Sequence, residues 1–383
     1  MRSKYLIIGA GVHGLSTAWS LCKKLKKKNQ LKDDSVIVLE KSKIAAGASG
    51  ISCGIVRNNY SQPCMRELMA HSINIWNENA KELTFHKVGY MQINSQLMVE
   101  SMSQVYEQQK EIGFESMFVV GLSDCDKYMK NIFDDWQAQA IESVLHEKNS
   151  GYGHNRGAIL GLEKLAKNEG AKIYEEVEVL EINYDSNSDA AKSVNTTNGV
   201  YEFETLIIAP GPWVEKLWKL MDQDDYININ GSKKAMWSYN MLEEGELEYD
   251  PKQHTTNDKN ESPIVHVDTE ATLISANSGK TIHENEIWGF YYKPDVYRKC
   301  IQGGSTPLKI DREPHSIELE PYGHDSKIFQ TRAAFYDKWT SALAFCQKRF
   351  EGRHNDYRKR NNGGIGCLTP DGFPVIDIFK ENI

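Results

Sequence analysis

Tyr5-Leu6-Ile7-Ile8-Gly9-Ala10-Gly11-Val12-His13-Gly14 is the stretch on which the fold turns. Its first four residues are apolar without a break, as in a strand buried on both faces of a parallel sheet. They run straight into a GxGxxG. Val12, Leu15, Trp19 and Cys22 then recur at helical spacing, and Lys23, Lys24, Lys26, Lys27 and Lys28 crowd the far end of that helix, where positive charge complements the dipole. A second apolar run, Val36-Ile37-Val38-Leu39, ends at Glu40. Strand, glycine turn, helix, strand and closing acid together make a dinucleotide fingerprint, which the glycines alone would not.

Each part has a physical task. Gly9 permits the tight turn, Gly11 lets a pyrophosphate approach the backbone, and Gly14 lets the helix pack against the strand. Ala10, Val12 and His13 complete the loop and first helical turn, whose N–H groups point at phosphate. Glu40 is positioned to accept hydrogen bonds from both ribose hydroxyls and to repel a 2′-phosphate, so NAD or FAD is expected rather than NADP.

Length and composition bound the rest. A chain of 383 residues buries roughly 75% of its unfolded surface and suggests about two or three domains. With 40% hydrophobic and 26% charged residues it is an ordinary globular composition, not a disordered one. The balance of 45 basic against 53 acidic residues gives −8, which argues against a nucleic-acid partner. Seven scattered cysteines without a CxxC, and histidines without HExxH or HxH, point to a reducing cytoplasm and to no metal site. Arg2 and Lys4 ahead of apolar residues imitate a secretory signal only poorly, and the glycines and His13 break the run too early for a transmembrane segment.

The residues after Glu40 separate FAD from NAD. Glu40-Lys41 leads to Gly47-Ala48-Ser49-Gly50-Ile51-Ser52-Cys53-Gly54-Ile55-Val56-Arg57. Here the chain resembles the FAD-dependent amine oxidoreductases of the D-amino-acid oxidase, glycine oxidase and sarcosine oxidase superfamily. In that family the small Ser/Gly segment lies along the flavin pyrophosphate, which implies contacts from Lys41, Ala48, Ser49 and Gly50. Further pieces follow in the family's order: a helix with Leu160, Leu162, Leu165 and Ala166, then Val177-Glu178-Val179, where Val177 resembles a backbone contact beside the adenine. Next comes Ile207-Ile208-Ala209-Pro210-Gly211-Pro212-Trp213, similar to the turn under the dinucleotide, implicating Ala209, Gly211 and Trp213. Trp288–Pro294 and Ile301–Gly304 resemble substrate-domain strands. Gly363-Gly364 and the late Thr369-Pro370-Asp371-Gly372-Phe373-Pro374-Val375-Ile376 resemble the family's closing motif, with Gly364 beside the flavin.

The resemblance implies an α/β fold: a Rossmann-like FAD/NAD(P)-binding domain, discontinuous, with an inserted antiparallel-sheet substrate domain. The expected division is 1–85, 150–222 and 352–383 for the FAD-binding domain, with 86–149 and 223–351 forming the roof. Met65, Leu68, Met69, Ser72, Ile73 and Trp76 predict one further helix, opened by Pro63, and Met98, Met102, Val105 and Ile112 another. The acidic segment from Glu243 to Pro263 reads as a surface hairpin or mobile loop.

Arg57-Asn58-Asn59-Tyr60 falls where sarcosine-oxidase-like members carry an arginine that grips the substrate carboxylate. A planar, permanently charged fork is the best partner for that group, and Tyr60 is a weaker candidate for the same pocket. Tyr291, Tyr292 and His266 are candidates without rank. Two departures matter. The position where some relatives attach flavin through histidine is Ile51; where others use cysteine it is Gly364, with Cys367 three residues too late. Non-covalent FAD is therefore expected. In the family a further strand, turn and helix cover the flavin ring; here the sequence ends at Glu381-Asn382-Ile383, as a shortened form would.

The expected activity is oxidation of the C–N bond of a small amino acid or N-methyl amino acid to an imine that water hydrolyses. Oxygen, a quinone or a carrier protein remains open as electron acceptor. Two alternatives stand beside it: an FAD dehydrogenase for a 2-hydroxy acid or glycerol 3-phosphate, and a flavin-binding subunit that works only with a partner polypeptide.

Overall fold

The computed structural model describes residues 1–185, 188, 190–306, 318–320, 322, 330–358, 364–379 and 382–383. Two large sheets carry the fold. The first has six strands in the order Val179–Tyr184, Ala191–Thr196, Gly199–Ile208, Arg2–Ile8, Val36–Leu39 and Lys172–Tyr174. The last four are parallel neighbours, and the first two add an antiparallel flank. Leu6, Ile7, Val36, Ile37 and Val38 are fully buried, so these strands read as unbroken apolar runs instead of alternating ones. Helices Val12–Lys27 and Asn155–Glu169 share one face of this sheet, packing Leu15, Ala18 and Cys22 with Leu162 and Ala166. This is the dinucleotide-binding half that the fingerprint predicts.

The second sheet has eight strands, in the order Tyr357–Arg358, Glu244–Glu248, Cys300–Thr306, Trp288–Asp295, Ile264–Thr269, Tyr90–Asn94, Ser143–Glu147 and Ser116–Val120. It is antiparallel as expected, except at one seam. Ile264–Thr269 and Tyr90–Asn94 run parallel, because both chains enter the sheet at the same end, where the Ile264 N–H donates to Gly89 O at 3.0 Å.

The two faces of this sheet differ in chemistry. Met91, Val265, Val267, Phe290 and Ile301 point one way, under helices Leu122–Ile132 and Ala333–Cys346, and make a dry core with Met129, Trp339 and Leu343. Their alternate neighbours Tyr90, Gln92, His266, Tyr291 and Glu244 point the other way. Side chains alternate along each strand, and the register aligns Glu244, Gly304, Tyr291, His266 and Gln92 in one cross-strand row.

The acidic segment departs from expectation. Instead of a surface hairpin or mobile loop, residues 244–248 form an inner strand of this sheet, with Glu243, Glu244 and Glu246 buried. Each finds donors. Glu243 accepts from the Arg332 N–H at 2.8 Å, Glu244 from Tyr291 at 3.1 Å and Gln302 at 3.0 Å, and Glu246 pairs with Arg298. Buried acids stay hydrophilic in sequence, so composition mistook a paired interior strand for surface.

Candidate active site

A cavity of about 540 Å³ opens at the carboxyl ends of the parallel strands, after Ile8, Leu39 and Ile208. That is where ligands sit in open α/β sheets. Gly9, Ala10, Gly11, Val12, His13, Glu40, Lys41, Ala48, Ser49, Val177, Ala209, Gly211 and Trp213 all line it. The glycines show why no side chain is tolerated. Gly9 has φ +100°, and a Cβ there would lie 2.3 Å from Ala209 O; at Gly14 it would lie 1.8 Å from Gly9 O. Gly14 thus sits beneath the turn and brings helix against strand, outside the cavity lining.

Glu40 organises the floor. Its carboxylate accepts from the Ala10 and Ser42 N–H groups, each at 3.0 Å, and keeps further lone pairs for hydroxyl donors. Ser49 Oγ accepts from the Val12 N–H at 3.1 Å, so the Ser/Gly segment docks on the helix N-terminus. Val177 is partly committed: its N–H donates to Glu40 O at 2.9 Å, which leaves its carbonyl side for a base. The far wall brings the expected Lys41 and Trp213 together through a residue that the sequence does not mark, Glu320. Lys41 Nζ lies 4.0 Å from the Trp213 ring centroid and pairs with Glu320, which also accepts from Trp213 Nε1 at 2.9 Å. No local motif marks Glu320, because its partners lie far away in sequence.

Gly50 and Gly364 lie outside the lining. A Cβ on Gly50 would meet Ala45 O at 1.9 Å, and Gly364 faces Ile51, whose Cγ2 is 3.9 Å from such a Cβ. The two positions that relatives use for covalent attachment are therefore neighbours here, occupied by groups that form no such bond. Cys367 instead faces Tyr239, and burial pushes its thiol up to about 12. Gly363 and Glu381 lie outside the described residues.

Arg57 and Tyr60 belong to a second region. The short strand Ile55–Val56 delivers Arg57, which is partly buried, to the polar face of the eight-stranded sheet. Its guanidinium donates to Tyr90 Oη at 3.0 Å and lies 5.1 Å from the Tyr60 ring and 5.3 Å from the Tyr90 ring. Burial opposes its charge, but Tyr90, Tyr60 and the buried Glu147 outweigh that, so it stays cationic. Among the described residues no carboxylate comes within salt-bridge distance of it. Tyr90 Oη also contacts Gln92 Oε1 at 2.8 Å and His266 Nδ1 at 2.7 Å. Tyr291 joins the same face, 5.9 Å from the His266 ring. Tyr292 does not: it points into the apolar core.

A family model described as FAD dependent oxidoreductase (DAO) matches residues 4–381. The chain belongs to that family. The chain is 27% identical to the probable oxidoreductase OrdL of Haemophilus influenzae over 232 residues, 56% of this chain and 50% of that protein. It thus spans about half the length of this curated relative. Among solved structures it superposes on L-proline dehydrogenase from P. horikoshii with a TM-score of 0.73 at 17% identity, covering 100% of this chain and 86% of that one. Glycine oxidase from Geobacillus kaustophilus gives 0.66 at 16%, covering 100% and 87%. At these identities the likeness establishes the shared fold. The glycine cradle, the Glu40 acceptor and the cavity fit the FAD that the family uses. No helix among the described residues is long and apolar enough to cross a membrane.

Proposed function

We propose that this oxidoreductase removes a hydride equivalent from the C–H beside the nitrogen of a small amino acid or N-methyl amino acid, giving an imine that water hydrolyses. One observation carries the reading: Arg57, a cation set between two aromatic faces with no protein carboxylate against it. The nearest protein charge, the buried Glu147, lies beyond salt-bridge distance, so a substrate carboxylate can pair with the guanidinium directly while fixing the α-carbon.

Gly9, Ala10, Gly11, Val12, His13, Glu40, Lys41, Ala48, Ser49, Val177, Ala209, Gly211 and Trp213 would hold FAD without a covalent bond, with Gly14, Gly50 and Gly364 shaping the surrounding backbone. FAD, when bound, supplies the hydride acceptor. Arg57 orients the carboxylate, Tyr90 holds Arg57 and is itself braced by Gln92, and Tyr60 covers it. The domain division given above is the frame of this proposal, and the scattered cysteines, seven in number, support a cytoplasmic setting.

The test is anaerobic bleaching of the flavin by a panel of amino acids, N-methyl amino acids and 2-hydroxy acids. Bleaching by an amino acid, with Arg57→Ala raising the half-saturating concentration at least about a hundredfold, is expected for a lost charge-assisted contact. Bleaching only by 2-hydroxy acids would overturn the amine assignment. Acid precipitation should leave the yellow colour in the supernatant; colour in the pellet would overturn non-covalent binding.

A further inference from the structure

Carboxylate binding accounts for Arg57 but not for the polar groups behind it. Gln92 Nε2 donates to Asn94 Oδ1 at 3.0 Å and to Asp268 Oδ2 at 2.8 Å. Its Oε1 therefore faces the other way, accepting from Asn59 Nδ2 at 3.1 Å and meeting Tyr90 Oη at 2.8 Å. The phenol has one proton, and Gln92 Oε1 has none, so that proton lies between them. Arg57 only donates. His266 Nδ1, 2.7 Å from Tyr90 Oη, must then carry a proton and donate it to the phenol oxygen. What remains is Nε2, a lone pair 3.6 Å from Asp268 Oδ2. A lone pair facing a carboxylate is a proton-binding position. Protonation there converts an opposition into an ion pair.

We propose that Arg57 and His266 bind carboxylate and proton as a linked pair, so that a carboxylate arriving on Arg57 draws a proton onto His266 Nε2 opposite Asp268. The inference rests on the assignment of Arg57 as the carboxylate site. With an amino acid zwitterion the proton comes from the substrate itself. The ammonium N–H bond breaks, an N–H bond forms at Nε2, and the nitrogen keeps its electron pair, becoming the neutral amine from which hydride can leave. No electrons change owner in this step. With a carboxylate that carries no amine, the proton comes from solvent.

The groups facing His266 set the sign of the linkage. They are Asp268 on its own strand, Tyr90 and Gln92 from one neighbouring strand, Tyr291 from the other, and Arg57 from the segment after Ile55–Val56. Burial, and then the Arg57 charge, hold the imidazole down to about 4 against the pull of Asp268. A bound carboxylate cancels the Arg57 charge, so the imidazole becomes more basic in the complex. His266 acts through proton affinity and not as a structural prop.

Titration calorimetry of the flavoprotein with acetate at pH 5, in buffers of different ionisation heat, reads proton uptake directly. Net proton uptake is expected on acetate binding, after allowance for the protons that acetic acid itself gives up at this pH, and less for an amino acid, whose own ammonium supplies the proton. His266→Gln should abolish the uptake while acetate still binds at pH 8 through Arg57. Asp268→Asn should reduce it. In the intact protein, acetate should also move the His266 ring titration, followed by nitrogen NMR, to higher pH. Acetate binding without uptake, or equal uptake in His266→Gln, overturns the linkage and leaves the Arg57 assignment standing. Failure of every carboxylate to bind overturns both.

Discussion

Gly14 shows how little freedom single residues have in this turn. A methyl group there would sit 1.8 Å from Gly9 O, a contact that no rotamer change relieves because both partners are backbone. Gly14→Ala is expected to cost about 3 kcal/mol or more, as overpacking does. It should also release FAD, seen as loss of yellow colour on gel filtration and a melting temperature several degrees lower. Retention of full colour and stability would show that helix and strand do not need this contact. Glu40 behaves differently. Its carboxylate already holds two backbone N–H groups, so its role in the floor is independent of any ligand. The sequence marks it as a ribose acceptor, but only the fold shows that it also ties the glycine turn to the residues after the second strand.

At the scale of elements, the strand at 244–248 was the least legible. Charge and polarity hid it, because its acids face donors contributed by distant strands. Burial pushes the Glu244 carboxyl up to about 7, against the opposing pull of Tyr291 and Lys293. In the unfolded chain it titrates near 4.5. Below that pH both states hold the proton. Between about 4.5 and 7 only the folded state does, so this carboxyl's contribution to stability falls as pH rises and is lowest above 7. Glu244→Gln should therefore be more stable than the parent at pH 8, by about 3 kcal/mol, and close to it at pH 4.5, as measured by denaturant unfolding. An equal difference at both pH values would mean that the charge is not what matters. The helices were easier. Val12–Lys27 and Asn155–Glu169 follow their apolar stripes closely, because one face of each packs on a sheet.

Across the whole molecule, His254 joins several elements of the second sheet's core. Its ring lies 6.0 Å from Phe133, 5.8 Å from Tyr292 and 5.3 Å from Phe350, and neither nitrogen has a hydrogen-bond partner among the described residues. Burial first, and Arg349 second, hold it down to about 3, against a usual 6.5. A histidine buried neutral contributes stability above 6.5 that is lost as pH falls towards 3, by about 1.4 kcal/mol per pH unit. His254→Phe should keep the core filled and move the acid-unfolding midpoint to lower pH; an unchanged midpoint would place acid sensitivity elsewhere. The sequence by itself determined the dinucleotide half of this protein. The turn from Gly9 to Gly14 and the acid at Glu40 are constrained by local backbone geometry, and local constraints leave local patterns. Only the tertiary structure decided the polar face of the second sheet. Arg57, Tyr90, His266 and Glu244 come from separate segments and meet through sheet register, and their burial is compensated by partners that no short stretch of sequence contains.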